Sequence, residues 1–288
     1  MKGVVLAGGF GTRLYPSTIS VSKQLLPLYD KPMIYYPLAT LIHAGVTDFL
    51  IITTEAQQQN FVNLLGDGKY LGLKIQYLSQ NSPEGITQGV LLSEDFVGSE
   101  DFWFVLGDNF FHGPEFGVAL KNNYSETRGA VAFAYQVFNP KDYGIVEFNK
   151  FEIAEKIIEK PKNSKSNWAI PGLYKFDCGA FEFAKSIEKS KRGEYEITDL
   201  LTKYLQSNLL SVKKISRGNS WFDLGTPESI LAASNFVHSQ QERQGLFIGS
   251  PEEAAFNSKL ISIEVIRECN IPVRPYLTQL IQYLENRS

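Results

Sequence analysis

Short, continuous apolar runs alternate with amphipathic segments in the first half of the sequence, and this alternation limits the possible folds more than any other feature. Residues 49–52 and 102–106 are apolar without interruption. An unbroken apolar run suits a strand that is covered on both faces, as the strands of parallel sheets are. We therefore predict an α/β fold with a doubly wound, mostly parallel mixed sheet and a helical C-terminal part.

The spacing of apolar residues divides the chain further, and Pro37 could mark the true start of the first predicted helix. Predicted strands cover residues 3–7, 48–54, 73–78, 102–106, 130–137, 144–148, 173–176, 209–215 and 221–224. Predicted helices cover residues 33–44, 61–65, 87–96, 180–188, 198–205 and 227–243, and the rest of the C-terminus. We predict an α/β domain over residues 1–244 and a helical appendage over residues 245–288 that could serve oligomerisation.

The composition argues against several classes of protein. The formal net charge of −3 lacks the basic excess of a nucleic-acid or membrane-surface binder. Cys178 and Cys269 have no paired spacing, and His43, His112 and His238 are scattered, so we expect neither a disulfide framework nor a zinc site. The N-terminus already has a strand pattern, and no apolar run reaches membrane-spanning length. We predict a cytoplasmic protein without nucleic-acid or membrane partners.

A glycine-rich loop directly follows the first predicted strand, with Gly8, Gly9 and Gly11. Glycines let backbone N–H groups approach phosphate oxygens closely, and Arg13 and Lys23 add cationic charge beside such a cradle. The spacing fits neither a Walker loop, because no Gly-Lys pair follows, nor a dinucleotide loop, because the third glycine is missing. The alternative is a tight strand-to-helix turn with a surface arginine.

Two carboxylates stand at the ends of predicted strands. Asp108 follows the strand at 102–106, and Asp223 lies in the one at 221–224. In open α/β sheets ligands bind beyond the carboxyl ends of the strands, and Mg²⁺ prefers one or two carboxylates together with phosphate oxygens. We therefore predict a Mg²⁺ site at Asp108 and Asp223. The alternative for either residue is a turn or helix-capping aspartate.

A third signal is the adjacent pair Glu159 and Lys160. A sugar ring needs hydrogen-bond acceptors for its hydroxyls and its phosphate needs a cation, and this pair offers both. The alternative is a solvated charge pair before a turn. No Ser-His-Asp or Cys-His order stands out, so a mechanism based on charge and positioning suits this sequence better than one with a protein nucleophile.

Taken together, these segments resemble the sugar nucleotidyltransferases. The matching segments are GGFGTRL at 8–14, SKQLLP at 22–27, YDKPMIYYP at 29–37, LGDN at 106–109, EKP at 159–161, KSN at 165–167, RGE at 192–194 and EITD at 196–199. The match extends to at least residues 251–253. This long, ordered series is more specific than any single motif.

The resemblance implies a role for each matched position. Nucleotide contacts would come from Gly8, Gly9, Gly11, Thr12, Arg13, Lys23, Gln24, Gln80, Pro83 and Gly85. Sugar-phosphate contacts would come from Asp108, Asn109, Tyr143, Gly144, Glu159, Lys160, Ile170, Gly172, Tyr174, Arg192 and Trp221. The catalytic residues would be Arg13, Lys23, Asp108 and Lys160, and the metal ligands Asp108 and Asp223. The sugar-binding part would lie inside residues 1–244.

The resemblance also implies an activity. The enzyme would transfer a nucleotidyl group from dTTP to α-D-glucose 1-phosphate with Mg²⁺ as cofactor, and would form dTDP-glucose and pyrophosphate as a homotetramer in dTDP-rhamnose supply. The alternative within this class is a UTP-dependent uridylyltransferase. Pro171, Leu224 and Pro227 depart from the expected pattern, and these departures fall on the sugar side and in the metal loop.

Two other classes of function stay open at this point. A protein that only senses nucleotide-sugars could keep the fold, but it would be expected to lose Arg13, Lys23 or Asp108, and all three are present. A nicotinamide-dependent oxidoreductase would share the opening strand, loop and helix, but the glycine spacing does not support it.

Overall fold

A computed structural model describes residues 1–113, 116–124, 128–268 and 275–285. The strands are β1 (Lys2–Leu6), β2 (Pro27–Leu28), β3 (Lys31–Pro32), β4 (Asp48–Thr54), β5 (Lys74–Gln80), β6 (Phe102–Leu106), β7 (Asn109–His112), β8 (Ala130–Gln136), β9 (Ile145–Phe148), β10 (Ala154–Ile158), β11 (Trp168–Ala169), β12 (Leu173–Phe176), β13 (Leu210–Lys214) and β14 (Ser220–Asp223). The helices are α1 (Tyr35–His43), α2 (Glu55–Leu65), α3 (Ile86–Leu92), α4 (Glu94–Val97), α5 (Phe116–Tyr124), α6 (Ala180–Lys185), α7 (Ile197–Gln206), α8 (Pro227–Gln244), α9 (Pro251–Asn257), α10 (Ile263–Glu268) and α11 (Pro275–Glu285).

The first half of the chain forms the parallel part of a ten-stranded sheet. Its strands lie in the order β5-β4-β1-β6, and all three of these pairs are parallel. The chain moves outward from β1 through β4 to β5 and then crosses back to β6. The strand order therefore reverses between β1 and β6, and this switch point is where open α/β sheets bind ligands.

The second half of the chain extends the same sheet with mostly antiparallel pairs. β12 pairs with β6 and β8, and β11 joins β8 to β9, which pairs with β10. β13 adds to β8 in parallel. A separate two-stranded ribbon joins β7 to β14. The predicted doubly wound, mixed sheet with helices is confirmed, and the four neighbouring parallel strands β5, β4, β1 and β6 lie at one side of it.

Two apolar clusters cover the opposite faces of the sheet. Neighbouring residues of β1 alternate between them, because side chains of a strand point to opposite faces. Val5 packs with residues of α1, α2 and α5, and Val4 packs with residues of α3, α6 and α7. In β6, Trp103 packs in the same cluster as Val5, and Phe104 packs in the same cluster as Val4. The parallel strands are thus covered on both faces, as their apolar runs predict.

Several predicted elements need correction. The segment predicted as one helix over 87–96 is two helices, α3 and α4, separated at Ser93. The helix predicted over 61–65 begins earlier, at Glu55, and Pro37 lies inside the first turn of α1 rather than at its start. Six elements were not predicted, namely β2, β3, β7, α5, β10 and β11.

The C-terminal helices pack against the α/β body. α9 contacts α1, and its Ala254 and Ala255 belong to the cluster that also contains Val5. Gly249 lies so close to Tyr36 that a Cβ there would come within 2.3 Å of the ring. The domain boundary after residue 244 stays a prediction, and Cys269 lies outside the described residues. None of the described helices is both long and apolar enough to cross a membrane.

Candidate active site

The loop after β1 and the end of β6 meet at the switch point of the sheet. The backbone N–H of Gly107 donates to the carbonyl of Leu6 at 2.9 Å, which holds the two strand ends together. Gly11 has φ of +63°, a left-handed conformation that glycine adopts without strain, and it precedes a single 3₁₀ turn over Thr12–Leu14. Thr12 and Arg13 are exposed on this turn, so their side chains are accessible to a ligand.

Gly8 lies directly against the side-chain amide of Gln80. A Cβ at residue 8 would lie 2.0 Å from Nε2 of Gln80, whereas a Cβ at Gly9 would meet no atom within 4 Å. Gln80 is the last residue of β5 and is buried. Its carbonyl oxygen Oε1 has no hydrogen-bond partner within the described ranges. A buried acceptor without a partner is costly unless a ligand or water donates to it.

Lys23, Asp108 and Asn109 form a buried polar group at the end of β6. The ammonium of Lys23 pairs with Oδ2 of Asp108, and Nδ2 of Asn109 donates to the other carboxylate oxygen at 3.0 Å. Burial alone would raise the pKa of Asp108, but the charge and hydrogen bond of Lys23, together with Asn109, hold it below its ordinary value. Asp108 is therefore ionised and oriented at neutral pH.

Asp223 lies beside Asp108 because β14 pairs with β7. Residue 223 stands opposite Asn109 in this ribbon, and the N–H of Leu224 donates to the backbone carbonyl of Asp108 at 3.0 Å. Burial and the charge of Asp108 raise the pKa of Asp223 to about 6, although Lys23, Arg13 and Lys160 lower it. The charges of Asp108, Lys23, Arg13 and Lys160 therefore all act on the carboxyl group of Asp223.

Arg13 reaches the same cluster from the glycine loop. A Cβ at Gly225 would lie 3.0 Å from Nη2 of Arg13 and 3.2 Å from Oδ1 of Asp223. The charge of Arg13 also lowers the pKa of Tyr143, which burial and the carboxylates of Asp223 and Asp142 raise above its ordinary value. The guanidinium consequently connects the glycine loop with Asp223 and Tyr143.

The predicted sugar side is assembled around Glu159. The N–H of Lys160 donates to the carbonyl of Tyr143 at 3.1 Å, and the N–H of Ile170 donates to the carbonyl of Gly144 at 2.8 Å. Lys160 has φ of +39°, a strained conformation for a residue with a side chain. Burial and the charge of Glu159 raise the pKa of Tyr174, so its phenol stays protonated.

Arg192 and Thr198 are closer partners of Glu159 than Lys160 is. Nη1 of Arg192 and Oγ1 of Thr198 each lie 3.1 Å from a carboxylate oxygen of Glu159, whereas Nζ of Lys160 lies 3.7 Å away. Lys160 therefore keeps donors available for a ligand. Thr198 was not assigned a role from sequence, although it belongs to the matched segment 196–199.

The wall that carries Gly85 is built from two distant segments. The N–H of Tyr195 donates to the carbonyl of Glu84 at 2.7 Å, and the N–H of Thr87 donates to the carbonyl of Tyr195 at 3.1 Å. Gly85 has φ of +109°, and a Cβ there would lie 2.5 Å from the backbone oxygen of Tyr195. Tyr195 was missed from sequence, because only the backbone of this residue makes these contacts.

Most of the predicted site residues are thus linked in space. Gln24 is buried, accepts a hydrogen bond from Ser22 at 2.6 Å, and lies against Gly107. Trp221 packs edge-on against Tyr143, with ring centroids 5.1 Å apart. Pro83 lies in the loop between β5 and α3, two residues before Gly85. Within the described residues no group of three or more His, Cys, Asp or Glu side chains could hold a metal ion.

The chain is similar to known proteins both in sequence and in structure. The profile described as Nucleotidyl transferase matches residues 2–240. Glucose-1-phosphate thymidylyltransferase of Mycolicibacterium smegmatis is 49% identical over 261 residues, which are 91% of this chain and 90% of that protein. A Bacillus anthracis structure described as a glucose-1-phosphate thymidylyltransferase in complex with a sucrose has a TM-score of 0.76 at 36% identity, and covers 82% of this chain and 94% of its own.

A more distant structure resembles the chain in fold alone. UDP-glucose pyrophosphorylase complexed with UDP-glucose has a TM-score of 0.74 at 24% identity, and the match covers 83% of this chain and 98% of that one.

Proposed function

This chain belongs to the nucleotidyl transferase family, and from that membership we propose that it transfers a thymidylyl group from dTTP to α-D-glucose 1-phosphate. The products are dTDP-glucose and pyrophosphate. This is the activity after which the relatives from M. smegmatis and B. anthracis are named. A UTP-dependent activity is the weaker candidate, because the uridine-nucleotide relative is more distant.

One observation carries the proposal: a largely buried cluster of opposite charges lies between the glycine loop and the segment that contains Glu159 and Lys160. Lys23, Asp108 and Asp223 occupy the switch point, with Arg13 on the glycine loop and Lys160 on the opposite side. A triphosphate needs cations and backbone donors, and a sugar phosphate needs a cation and hydroxyl acceptors. The arrangement supplies both sets next to each other.

The reaction then follows from positioning. A phosphate oxygen of the sugar phosphate attacks the α-phosphorus of dTTP, a new P–O bond forms, and the bond to pyrophosphate breaks in line. Arg13 and the glycine loop stabilise the charge that develops on the phosphates, and Lys160 orients the sugar phosphate. Positioning alone can supply roughly 7–11 kcal/mol of barrier reduction. No covalent enzyme intermediate is required.

Magnesium suits the carboxylates of this site. Asp108 is buried and Asp223 is half-buried, and their mutual repulsion contributes to the raised pKa of Asp223. A divalent cation would relieve that repulsion, and oxygen donors from two carboxylates and substrate phosphates match the preference of Mg²⁺. Mg²⁺, when bound, neutralises charge on the triphosphate and on the leaving pyrophosphate. Asp108 and Asp223 would hold it.

Gln80 and Gly85 are proposed to read the base. Thymine and uracil present an N–H donor and a carbonyl acceptor, and the buried Oε1 of Gln80 is an acceptor in need of a donor. A glutamine amide can flip to suit cytosine, whereas a backbone N–H from Gly85 cannot. With cytidine triphosphate, the backbone N–H of Gly85 would then face another hydrogen-bond donor on the base. This costs about 1–3 kcal/mol per mispaired group.

Further properties of the protein remain proposals from the family resemblance. These are a homotetrameric assembly, a place in dTDP-rhamnose supply and a cytoplasmic location. Analytical ultracentrifugation of the purified protein tests the first of them directly.

A substrate panel tests the proposed function. Pyrophosphate release is measured with dTTP, UTP or CTP and with several hexose 1-phosphates, in the presence of Mg²⁺. We expect the highest kcat/KM with dTTP and glucose 1-phosphate, lower use of UTP, and a loss of roughly tenfold or more with CTP. Preference for UTP would favour the weaker candidate. The absence of pyrophosphate release with every pair would contradict the proposal.

A further inference from the structure

Asn109 joins three parts of the site that are separate in sequence. It is the first residue of β7 and is 2% exposed. Its Oδ1 accepts from the backbone N–H of Gly172 at 3.0 Å and from Nε1 of Trp221 at 2.7 Å, while its Nδ2 donates to Oδ1 of Asp108 at 3.0 Å. One side chain thus contacts the end of β6, the start of β12 and β14.

These contacts fix the orientation of the amide. Both lone pairs of Oδ1 accept from N–H donors, and a flipped amide would instead turn its own N–H groups toward the donors of Gly172 and Trp221. Nδ2 must therefore face Asp108. Because Lys23 pairs with Oδ2 and Asn109 bonds to Oδ1, both oxygens of the Asp108 carboxylate are held in place.

From this geometry we infer that Asn109 is a positioning residue, whose amide orients the Asp108 carboxylate toward the divalent cation. The inference rests on the proposed function, because it takes Asp108 to be a metal ligand. It differs from a role as a sugar-phosphate ligand, because it concerns the Nδ2–H group that donates to Asp108 and not a contact with the substrate. Hydrogen bonds to a metal-binding carboxylate commonly change metal affinity or activity by 10–100-fold when they are removed.

The same amide connects the metal side to the sugar side. Trp221, which donates to Asn109, packs against Tyr143 with ring centroids 5.1 Å apart and against Tyr135 with centroids 5.7 Å apart. The amide therefore sets the position of Asp108 and of this aromatic group together. A change at Asn109 should weaken metal binding even when no sugar phosphate is present.

The test measures Mn²⁺ binding by the electron paramagnetic resonance signal of free Mn²⁺, with dTTP bound and no sugar phosphate added. We expect Asn109→Ala to raise the Mn²⁺ dissociation constant about 10- to 100-fold. Asn109→Leu, which is closer in shape, should do the same. An unchanged dissociation constant together with a lower melting temperature would mean that Asn109 is only structural, and would overturn the inference.

Two further variants separate the possible causes. Asn149→Leu is the matched control, because the Oδ1 of Asn149 also accepts two backbone N–H groups, from Phe151 at 2.9 Å and Ile153 at 3.2 Å, in a hairpin outside the site. It should leave Mn²⁺ binding unchanged. Trp221→Phe removes the indole donor but keeps the bond from Asn109 to Asp108, so its effect should be much smaller. An equal loss in Trp221→Phe would overturn the inference, because the amide would then act through Trp221.

Asp108→Asn distinguishes failure of this inference from failure of the proposed metal site. If Asp108→Asn weakens Mn²⁺ binding and Asn109→Ala does not, the inference alone is wrong. If Asp108→Asn leaves Mn²⁺ binding unchanged, the metal assignment in the proposed function is wrong, and the inference fails with it.

Discussion

The nucleotide side and the sugar side of the site differ in how the chain builds them. Most of the predicted nucleotide contacts come from residues 8–24, one continuous segment at the end of β1, with Gln80 added from β5. Apart from Asp108 and Asn109, which follow β6, the predicted sugar contacts come from residues 143–144, 159–160, 170–174, 192 and 221, which the antiparallel half of the sheet brings together. The first side is local in sequence, and the second depends on long-range pairing.

The two sides also differ in the exposure of their charges. The side chains of Lys23 and Asp108 are 13% and 10% exposed, whereas those of Lys160 and Arg192 are each 42% exposed. Charges that are shielded from water interact more strongly than exposed ones. We therefore expect changes on the nucleotide and metal side to lower turnover, and changes on the sugar side to weaken substrate binding.

The largest effect is expected for Asp108→Asn. This change keeps the shape of the side chain but removes the charge that would face the metal, and it leaves Lys23 without its partner. We expect kcat to fall by roughly three orders of magnitude, about 4 kcal/mol of transition-state stabilisation. Steady-state kinetics across a Mg²⁺ titration measure it, with Asp95→Asn on exposed α4 as the control. Near-normal turnover at low Mg²⁺ would exclude Asp108 as a metal ligand.

Arg13→Ala should lower turnover somewhat less than Asp108→Asn does. The guanidinium lies beside Gly225 and Asp223, where it can stabilise the pentacoordinate phosphorus. Removal of one such donor costs roughly 10²–10³-fold in kcat, with little change in the KM for glucose 1-phosphate, because the interaction strengthens in the transition state. Arg128→Ala, at an exposed arginine, is the control. A higher KM with unchanged kcat would place Arg13 among the ground-state contacts.

On the sugar side, Lys160→Ala should act mainly on binding. Its ammonium is 3.7 Å from Glu159 and retains donors for a phosphate. Loss of a hydrogen bond to a charged group costs about 1.5–3 kcal/mol, so we expect the KM for glucose 1-phosphate to rise roughly 10- to 100-fold while kcat changes less. Lys162→Ala, two residues along and exposed, is the control. An unchanged KM would mean that Lys160 is a surface charge only.

The smallest of these effects is expected for Gly8→Ala. The added methyl group would lie 2.0 Å from Nε2 of Gln80, so the amide must move away from its place beside the loop. We expect the KM for dTTP to rise roughly tenfold, equivalent to about one lost hydrogen bond, with the KM for glucose 1-phosphate unchanged. Gly9→Ala should do less, because a Cβ there meets no atom within 4 Å. Equal effects of both changes would remove Gln80 from the explanation.

The contrast between local and long-range features also explains how much of the molecule could be predicted from sequence. The strands at 48–54 and 102–106 were predicted with the observed bounds, because continuous apolar runs mark strands that are buried on both faces. β10 and β11 were missed. In β10 the exposed Glu155 and Lys156 interrupt the apolar pattern, and β11 is only two residues long. Such elements are defined by their neighbours rather than by their own sequence.

In the site, too, some features are marked by the local sequence and others arise only from long-range contacts. The glycine loop could be predicted because its function requires particular residues at close spacing. The pairing of Lys23 with Asp108 joins residues 85 positions apart, and Asp223 reaches them through the ribbon of β7 with β14, which no periodicity reveals. Thr198 and Tyr195 were missed because their contacts, to Glu159 and to the backbone beside Gly85, exist only in the folded chain.

Transfer of the α-phosphorus is the central claim, and dTTP radiolabelled at that atom tests it most directly. The protein is incubated with the labelled dTTP, glucose 1-phosphate and Mg²⁺, and the products are separated. The proposed reaction places all of the transferred label in dTDP-glucose, leaves pyrophosphate unlabelled, and forms the two products in equal amounts. Label retained in dTDP, together with a bisphosphorylated sugar, would show transfer of the terminal phosphoryl group instead and would contradict the proposal.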